Sequence, residues 1–448
     1  MLKRLFRKLR PSSSGIAMPT QTIIPRDHHT VSRKRISDNA LKVLRRLNEG
    51  GFESYLVGGC IRDILLGHHP KDFDVATSAT PEQVRGLFRN SRLIGRRFKL
   101  VHVQFGREII EVATFRADHS SAGGRKDKSK VADSGRILRD NVYGNIEQDA
   151  IRRDFTMNAL YYTSEDFSIH DYTDGLRDIK QRKIRLIGDP VTRYQEDPVR
   201  MLRAIRFAAK LDFEIEKATA APIRRLAPSL GDIPAARMFD EILKLLQAGR
   251  GLKTFALMQE YHLFQPLFPA THTALESDPY YQRMIERALH NTDERLRQHK
   301  PVTPAFLFAT LLWGPLQACR KDIAAQDIPP IPALQQAIQV VIGNQSNHTT
   351  IPKRFGIPMR EIWELQDRLP RRQGKRAAQL LEHPRFRAAY DFMLLRCEAG
   401  ETELQELCDW WTDYQKVEEG DRKQMERQVA PAKRSRPRRR RRKPSSNE

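Results

Sequence analysis

At 448 residues, with 40% apolar side chains and four tryptophans, the chain is long enough for two to four domains that each bury a core, which excludes a wholly disordered polypeptide. Lysine and arginine number 78 against 55 acids, and the formal charge of +23 calls for a polyanionic partner, foremost nucleic acid, with basic tails on an ordinary soluble protein as the alternative. Four scattered cysteines, Cys60, Cys319, Cys397 and Cys408, lack C-x-x-C spacing, which argues against a zinc site or disulfide framework and fits a reducing cytoplasm.

The opening "MLKRLFRKLR" has cations but no apolar core or cleavage site, so it is not a secretory signal. Leu2, Leu5, Phe6 and Leu9 share one helical face, which suits contact with an anionic membrane or RNA, or simply a frayed tail. Residues 1–32 read as a disordered basic arm. Order is expected from "SDNALKVLRRLNEGG", where Ser37 caps a helix with Ala40, Leu41, Val43, Leu44 and Leu47 as its apolar face.

The next stretch, "YLVGGCIRDILLGHHPKDFDVAT", carries the most chemistry. Gly58 and Gly59 follow a short apolar strand and open a helix, where backbone amides can cradle phosphate and Arg62 can reach the same anion; a plain strand-to-helix turn is the alternative. On a strand, Asp72 and Asp74 face one side about 6 to 7 Å apart while Phe73 points inward. Two hard oxygen ligands at that spacing suit Mg²⁺.

"TPEQVRGLF" reads as a capped helix, and "LIGRRFKLVHVQFG" with "REIIEVATFR" as a strand pair. In the first of these, alternation puts Arg97 and Lys99 on one face and Phe98 and Leu100 on the other, with Arg96 near the Gly95 turn; the three cations are expected to face triphosphate or RNA. Asp118 to Gly135 has no apolar period and reads as a mobile loop. "RRDFTMNAL" then supplies a third acid, Asp154, beside Arg152 and Arg153, whose field suits a triphosphate as well as a surface ion pair. Three carboxylates with two Mg²⁺ ions would support in-line phosphoryl transfer from a nucleotide to a 3′-hydroxyl. In "EDPVRMLRAIRFAAKL", Asp197, Arg200, Arg203 and Arg206 recur every three residues; they make either an exposed ion-pair face or an acceptor and donors for a base edge.

Beyond about Asp189 helical periodicity dominates. In "RRQGKRAAQLLEHPRFRAAYDFMLLR", Leu380, Leu381, Phe386, Tyr390, Phe392 and Leu395 read as core rather than as a stacking platform for RNA. The chain ends with nine Lys/Arg in the eleven positions Lys433 to Lys443, a tail that suits holding RNA without reading its sequence.

"LVGGCIRDILLG", "KDFD", "RRDFTMNAL", "DYTDGLRDI" and "EDPVRMLRAIRFAAKL" together resemble the class II nucleotidyltransferases, which include CCA-adding enzymes and bacterial poly(A) polymerases. Cys60-Ile61 stands where Gly/Ala-Val is usual, a small apolar change. The resemblance implies a polymerase β-like α/β nucleotidyltransferase head followed by an all-α neck and body: arm 1–32, head 33–185, neck 186–250, body 251–418 and disordered basic tail 419–448. It implies that Asp72 and Asp74 hold metal, that Asp154 joins them in catalysis, that Gly58, Gly59, Arg62, Arg152 and Arg153 bind nucleotide, and that Asp197 and Arg200 select it with Arg203 as a further contact. Asp171, Gly175 and Asp178 match the family's flexible connector. "LIGRRFKL", "YHLFQPLFP" and "PAFLFA" are similar to the poly(A) polymerase branch. That branch implies template-independent transfer of AMP from ATP to RNA 3′ ends in mRNA polyadenylation and decay, with Mg²⁺, RNA-decay proteins as partners, and a monomer. CCA addition to tRNA and non-catalytic RNA binding stand as alternatives; the second leaves Asp72, Asp74 and Asp154 a coincidence.

Overall fold

The computed structural model describes residues 21–95, 99–117, 129–131, 137–140 and 142–429. The chain forms two compact units, Met1–Leu230 with Glu260–Leu263, and Gly231–Gln259 with Phe264–Glu448.

In the first unit, Ser37 accepts hydrogen bonds from the amides of Asn39 and Ala40 and starts α1 (Asp38–Glu49), whose Ala40, Val43, Leu44 and Leu47 are fully buried. The strands are β1 (Thr22–Ile24), β2 (Ser54–Val57), β3 (Asp74–Thr77), β4 (Ser91–Ile94), β5 (Leu100–Phe105), β6 (Glu108–Thr114), β7 (Ser129–Val131), β8 (Ile137–Asp140), β9 (Leu160–Tyr162) and β10 (Ile169–Asp171). Eight of them form one sheet in the order β1-β10-β9-β2-β3-β6-β5-β4. Only β3 and β6 pair in parallel within it. The helices of this unit include α2 (Gly59–Leu65), α3 (Pro81–Leu87), α4 (Ile146–Arg152), α5 (Gly175–Lys180), α6 (Pro190–Glu196) and α7 (Val199–Leu211). The sheet face under α4 is closed by Val57, Ala76, Phe115, Ala150, Tyr161 and Tyr172.

Several expectations need correction. The arm does not stay disordered to residue 32: Thr22, Ile23 and Ile24 pair with Asp171, His170 and Ile169, and Val31 is fully buried. Backbone ladder bonds at a sheet edge supply this order, and they leave little trace in side-chain pattern. Nor is "LIGRRFKL" one strand. Ile94 pairs with Leu100, so the chain reverses between them, and Gly95 starts the reversal at φ +86°. Arg96 and Arg97 lie outside the described residues; Lys99 is half-buried just before β5. Within the expected Asp118–Gly135 loop, Ser129–Val131 forms β7 and pairs with β8, which begins just past it.

Residues 186–230, read as a neck apart from the head, fold with the sheet. Lys183–Ile184 pairs in parallel with Glu214–Ile215, and Tyr194 donates to the carbonyl of Thr219 at 3.0 Å.

The second unit is helical. Its longer helices include Ala235–Leu246, Pro279–Arg297, Trp313–Ala324, Pro330–Ser346, Lys353–Gln366, Phe386–Ala399 and Gln405–Lys416. Leu380, Phe386, Tyr390, Phe392 and Leu395 are buried as expected, so they belong to the core. Residues 419–428, read as disordered tail, form a helix instead; Lys423 bonds Glu419 one turn back at 2.8 Å, and Tyr414 donates to Glu426 at 2.7 Å. The arginine run at 433–443 lies outside the described residues. No helix among the described residues is long and apolar enough to cross a membrane.

Candidate active site

Gly58 stands between β2 and α2 at φ +82° and ψ −138°, a conformation that side chains other than glycine adopt only under strain. A Cβ there would lie 3.6 Å from Asp74 Oδ2 and 3.8 Å from Arg153 Nη1, so the turn is where chain, acid and cation meet. Gly58→Ala is expected to cost roughly 1–3 kcal/mol through backbone strain. Urea unfolding measures that cost, and nucleotide transfer should fall at least tenfold beside it.

Asp74 opens β3 and faces Val57 of β2 on one side and Glu111 of β6 on the other. Asp72 lies just ahead of the strand and is exposed, while Phe73 between them is buried as expected. Burial pushes the Asp74 carboxyl up to about 6; Glu111 and Asp72 add to the rise and Arg153 opposes it. Among the described residues no three His, Cys, Asp or Glu side chains make a ready metal cluster.

Asp74 lines a cavity of about 350 Å³ whose other walls carry Arg152, Arg153, Asp154, Asp197, Arg200 and Arg203, so these seven expected residues come together, while Asp72, Gly58, Gly59 and Lys99 do not line it. Glu111, Arg116, Asp149, Arg193 and Glu196 also line it. Sequence reading assigned these five no role in the site. For Glu111 the only signal was a carboxylate between two buried aliphatics, Ile110 and Val112, and its approach to Asp74 depends on a parallel register that no local pattern encodes.

Asp154 is not presented as an open ligand. Its Oδ1 accepts from the Phe155 amide at 2.8 Å and from Asn158 at 3.2 Å, and its Oδ2 accepts from Arg203 Nε at 2.6 Å. Burial opposes its charge, but Arg203 and these donors prevail and hold the carboxyl below the usual range. Arg62 is 3% exposed and does not line the cavity. It donates to Asp63 at 2.8 and 2.6 Å and to Asn158 at 2.6 Å, so its reach is toward the support of Asp154 rather than toward an anion. Gly59 begins α2 behind the turn.

On the α6 and α7 side of the cavity, Arg200 Nη1 donates to the Arg193 carbonyl at 2.7 Å and to Glu196 at 2.8 Å. Arg193 in turn donates to the carbonyls of Arg152 and Arg153 at 2.6 and 2.8 Å and to Glu196 at 2.6 Å. Helices α6 and α7 are thereby tied to the segment that follows α4.

Residues 54–185 match the family model described as "Poly A polymerase head domain", residues 212–275 "Probable RNA and SrmB- binding site of polymerase A", and residues 326–445 "Polymerase A arginine-rich C-terminus". Poly(A) polymerase I of Salmonella typhimurium is 52% identical over 447 residues, covering 98% of this chain and 96% of that one. A CCA-adding enzyme of Staphylococcus aureus is 33% identical over 231 residues, 52% of this chain and 55% of that one. The crystal structure of Bacillus stearothermophilus CCA-adding enzyme in complex with CTP superposes with a TM-score of 0.57 at 24% identity, over 84% of this chain and 80% of that one, which shows a shared fold.

Proposed function

Because the chain belongs to the poly(A) polymerase I family of nucleotidyltransferases, we propose that the cavity beneath Asp74 is where it transfers AMP from ATP to RNA 3′-hydroxyl ends without a template, releasing pyrophosphate. The observation that carries this reading is the meeting of an acidic edge, Asp74 with Glu111, and an arginine wall in one cavity of nucleotide size.

Asp72 and Asp74 are the residues that would hold Mg²⁺. The fit rests on the donor set: Asp74 opens β3 in register with Glu111 of β6, and Asp72 lies two residues before it, so hard carboxylate oxygens gather at this edge. Such a cation supplies positive charge to the attacking hydroxyl and the departing pyrophosphate. Glu111, aligned with Asp74, adds a third carboxylate in place of Asp154, whose oxygens are taken by Arg203, Asn158 and the Phe155 amide.

Arg152 and Arg153 face the triphosphate and offset its charge. Asp197 accepts and Arg200 donates, which matches the amino group and ring nitrogen of adenine. Cytosine presents the same pair, so the preference for ATP is supported by similarity to poly(A) polymerases over nearly the whole chain, against about half for the CCA-adding relative. We place the basic tail with RNA, and the four free cysteines suit a reducing cytoplasm.

The test supplies purified protein and Mg²⁺ with either a generic RNA or a tRNA lacking its CCA end, and gives ATP and CTP separately. Long ATP-dependent tails on the generic RNA are expected. CTP addition confined to the tRNA would overturn the assignment in favour of CCA addition, and no extension at all would leave RNA binding alone.

A further inference from the structure

Two polar side chains beside the cavity have no part in the chemistry above. Asp149 of α4 is 8% exposed and Tyr161 of β9 is fully buried. They bond each other, Tyr161 Oη donating to Asp149 Oδ2 at 2.7 Å, and both take the same guanidinium. Arg153 Nε donates to Tyr161 Oη at 2.8 Å, while Nε and Nη2 donate to Asp149 Oδ2 at 3.3 and 3.1 Å. The Tyr161 ring also lies beneath the guanidinium, 5.2 Å from its carbon. Asp149 Oδ1 accepts the Arg116 amide at 3.2 Å, which fixes the carboxylate itself.

A carboxylate alone would neutralise Arg153, but it would leave the planar group free to pivot about a single anchor. The phenol adds a second anchor at a different angle and a ring that sets the plane. Burial works against the charge of Arg153, yet Tyr161 and Asp149 outweigh it and hold the group protonated. With Nε and Nη2 engaged, Nη1 is the end left on the side of Gly58 and Asp74.

We propose that Asp149 and Tyr161 are positioning residues that lock Arg153 with Nη1 aimed at the triphosphate of the incoming nucleotide. The pair acts on the phosphates only through Arg153, and the inference rests on the cavity being the ATP site. It follows that loss of the phenol hydroxyl weakens recognition of phosphate and leaves recognition of the base intact.

Tyr161→Phe keeps the ring in the cluster with Val57, Ala76 and Phe115 and removes only the hydroxyl. Inhibition of RNA extension by pyrophosphate and by adenosine separates the two halves of the nucleotide. In the variant the pyrophosphate inhibition constant and the KM for ATP are expected to rise about tenfold, the scale of one hydrogen bond to a charged group, and the adenosine constant to change less than twofold. In an Arg153→Lys background the Tyr161→Phe effect should shrink to less than threefold, because the hydroxyl then has no guanidinium to hold. Asp149→Asn provides a second variant with the same expected selectivity, and circular dichroism confirms that each is folded. An equal loss for adenosine and pyrophosphate, an undiminished effect in the Arg153→Lys background, or unchanged constants in a folded variant would each overturn the positioning role. If pyrophosphate fails to compete with ATP in the wild-type protein, the cavity assignment falls first and the inference with it.

Discussion

Replacing Asp74 with asparagine is expected to abolish AMP transfer, by at least a thousandfold, while making the metal-free protein more stable. The folded carboxyl titrates near 6 against an ordinary value of 3.8 because it is buried beside Glu111 and Asp72. A carboxyl whose folded pKa is raised holds its proton more tightly in the folded state, so ionisation works against folding. The penalty is absent below about pH 4, grows through the interval to about pH 6, and is complete above it. Its full size is at most about 3 kcal/mol, from roughly two units at 1.4 kcal/mol each. Asp74→Asn should therefore raise the thermal midpoint in EDTA at pH 8 and leave it unchanged at pH 4. Addition of Mg²⁺ should stabilise the wild type and close the gap. A variant no more stable than wild type at pH 8 would show that Asp74 is not strained by its neighbours.

Arg203→Ala is expected to harm stability and activity together. Asp154 keeps only 12% of its side chain exposed, and Arg203 keeps 38%. Removing the cation strands a buried carboxylate, which costs several kcal/mol in a dry site and about 2 kcal/mol here because the arginine is partly solvated. Asp154 is held below its ordinary range in the wild type, so the stability it confers is present above pH 4 and is lost as pH falls through the depressed value. The difference between wild type and Arg203→Ala should accordingly be full at pH 7 and vanish once Asp154 is protonated in both, which denaturant unfolding across pH 2 to 7 measures. A constant difference over that range would mean that Arg203 contributes packing against Phe207 rather than charge. Transfer activity at pH 7 should fall at least tenfold, since the same contact ties α7 to the segment carrying Arg152 and Arg153.

Much of the site was legible because it is written in local chemistry. A strand, two glycines and a helix make the Gly58 turn, and Asp74 opens β3, while Asp72 falls just ahead of the strand instead of on it. Ser37 announces α1 by its capping side chain. What escaped depends on contacts distant in sequence. Glu111 reaches Asp74 through a parallel pairing across 37 positions of chain, and Asp154 meets Arg203 across 49, so neither partner has a local signature. The surroundings of Arg62 escaped for the same reason: it bonds Asn158, a residue 96 positions away. The edge strand β1 and the helix over Glu419–Gln428 escaped differently, because backbone pairing and i,i+4 charges order segments whose composition looks soluble.

Arg193 has a consequence for how the arginines beside it are interrogated. It grips the main-chain oxygens of Arg152 and Arg153, and a carbonyl is the same whatever side chain it carries. Exchanging either arginine for lysine or methionine therefore leaves the clasp on α6 in place. Kinetic defects in such variants are then not traceable to release of α6 from that segment.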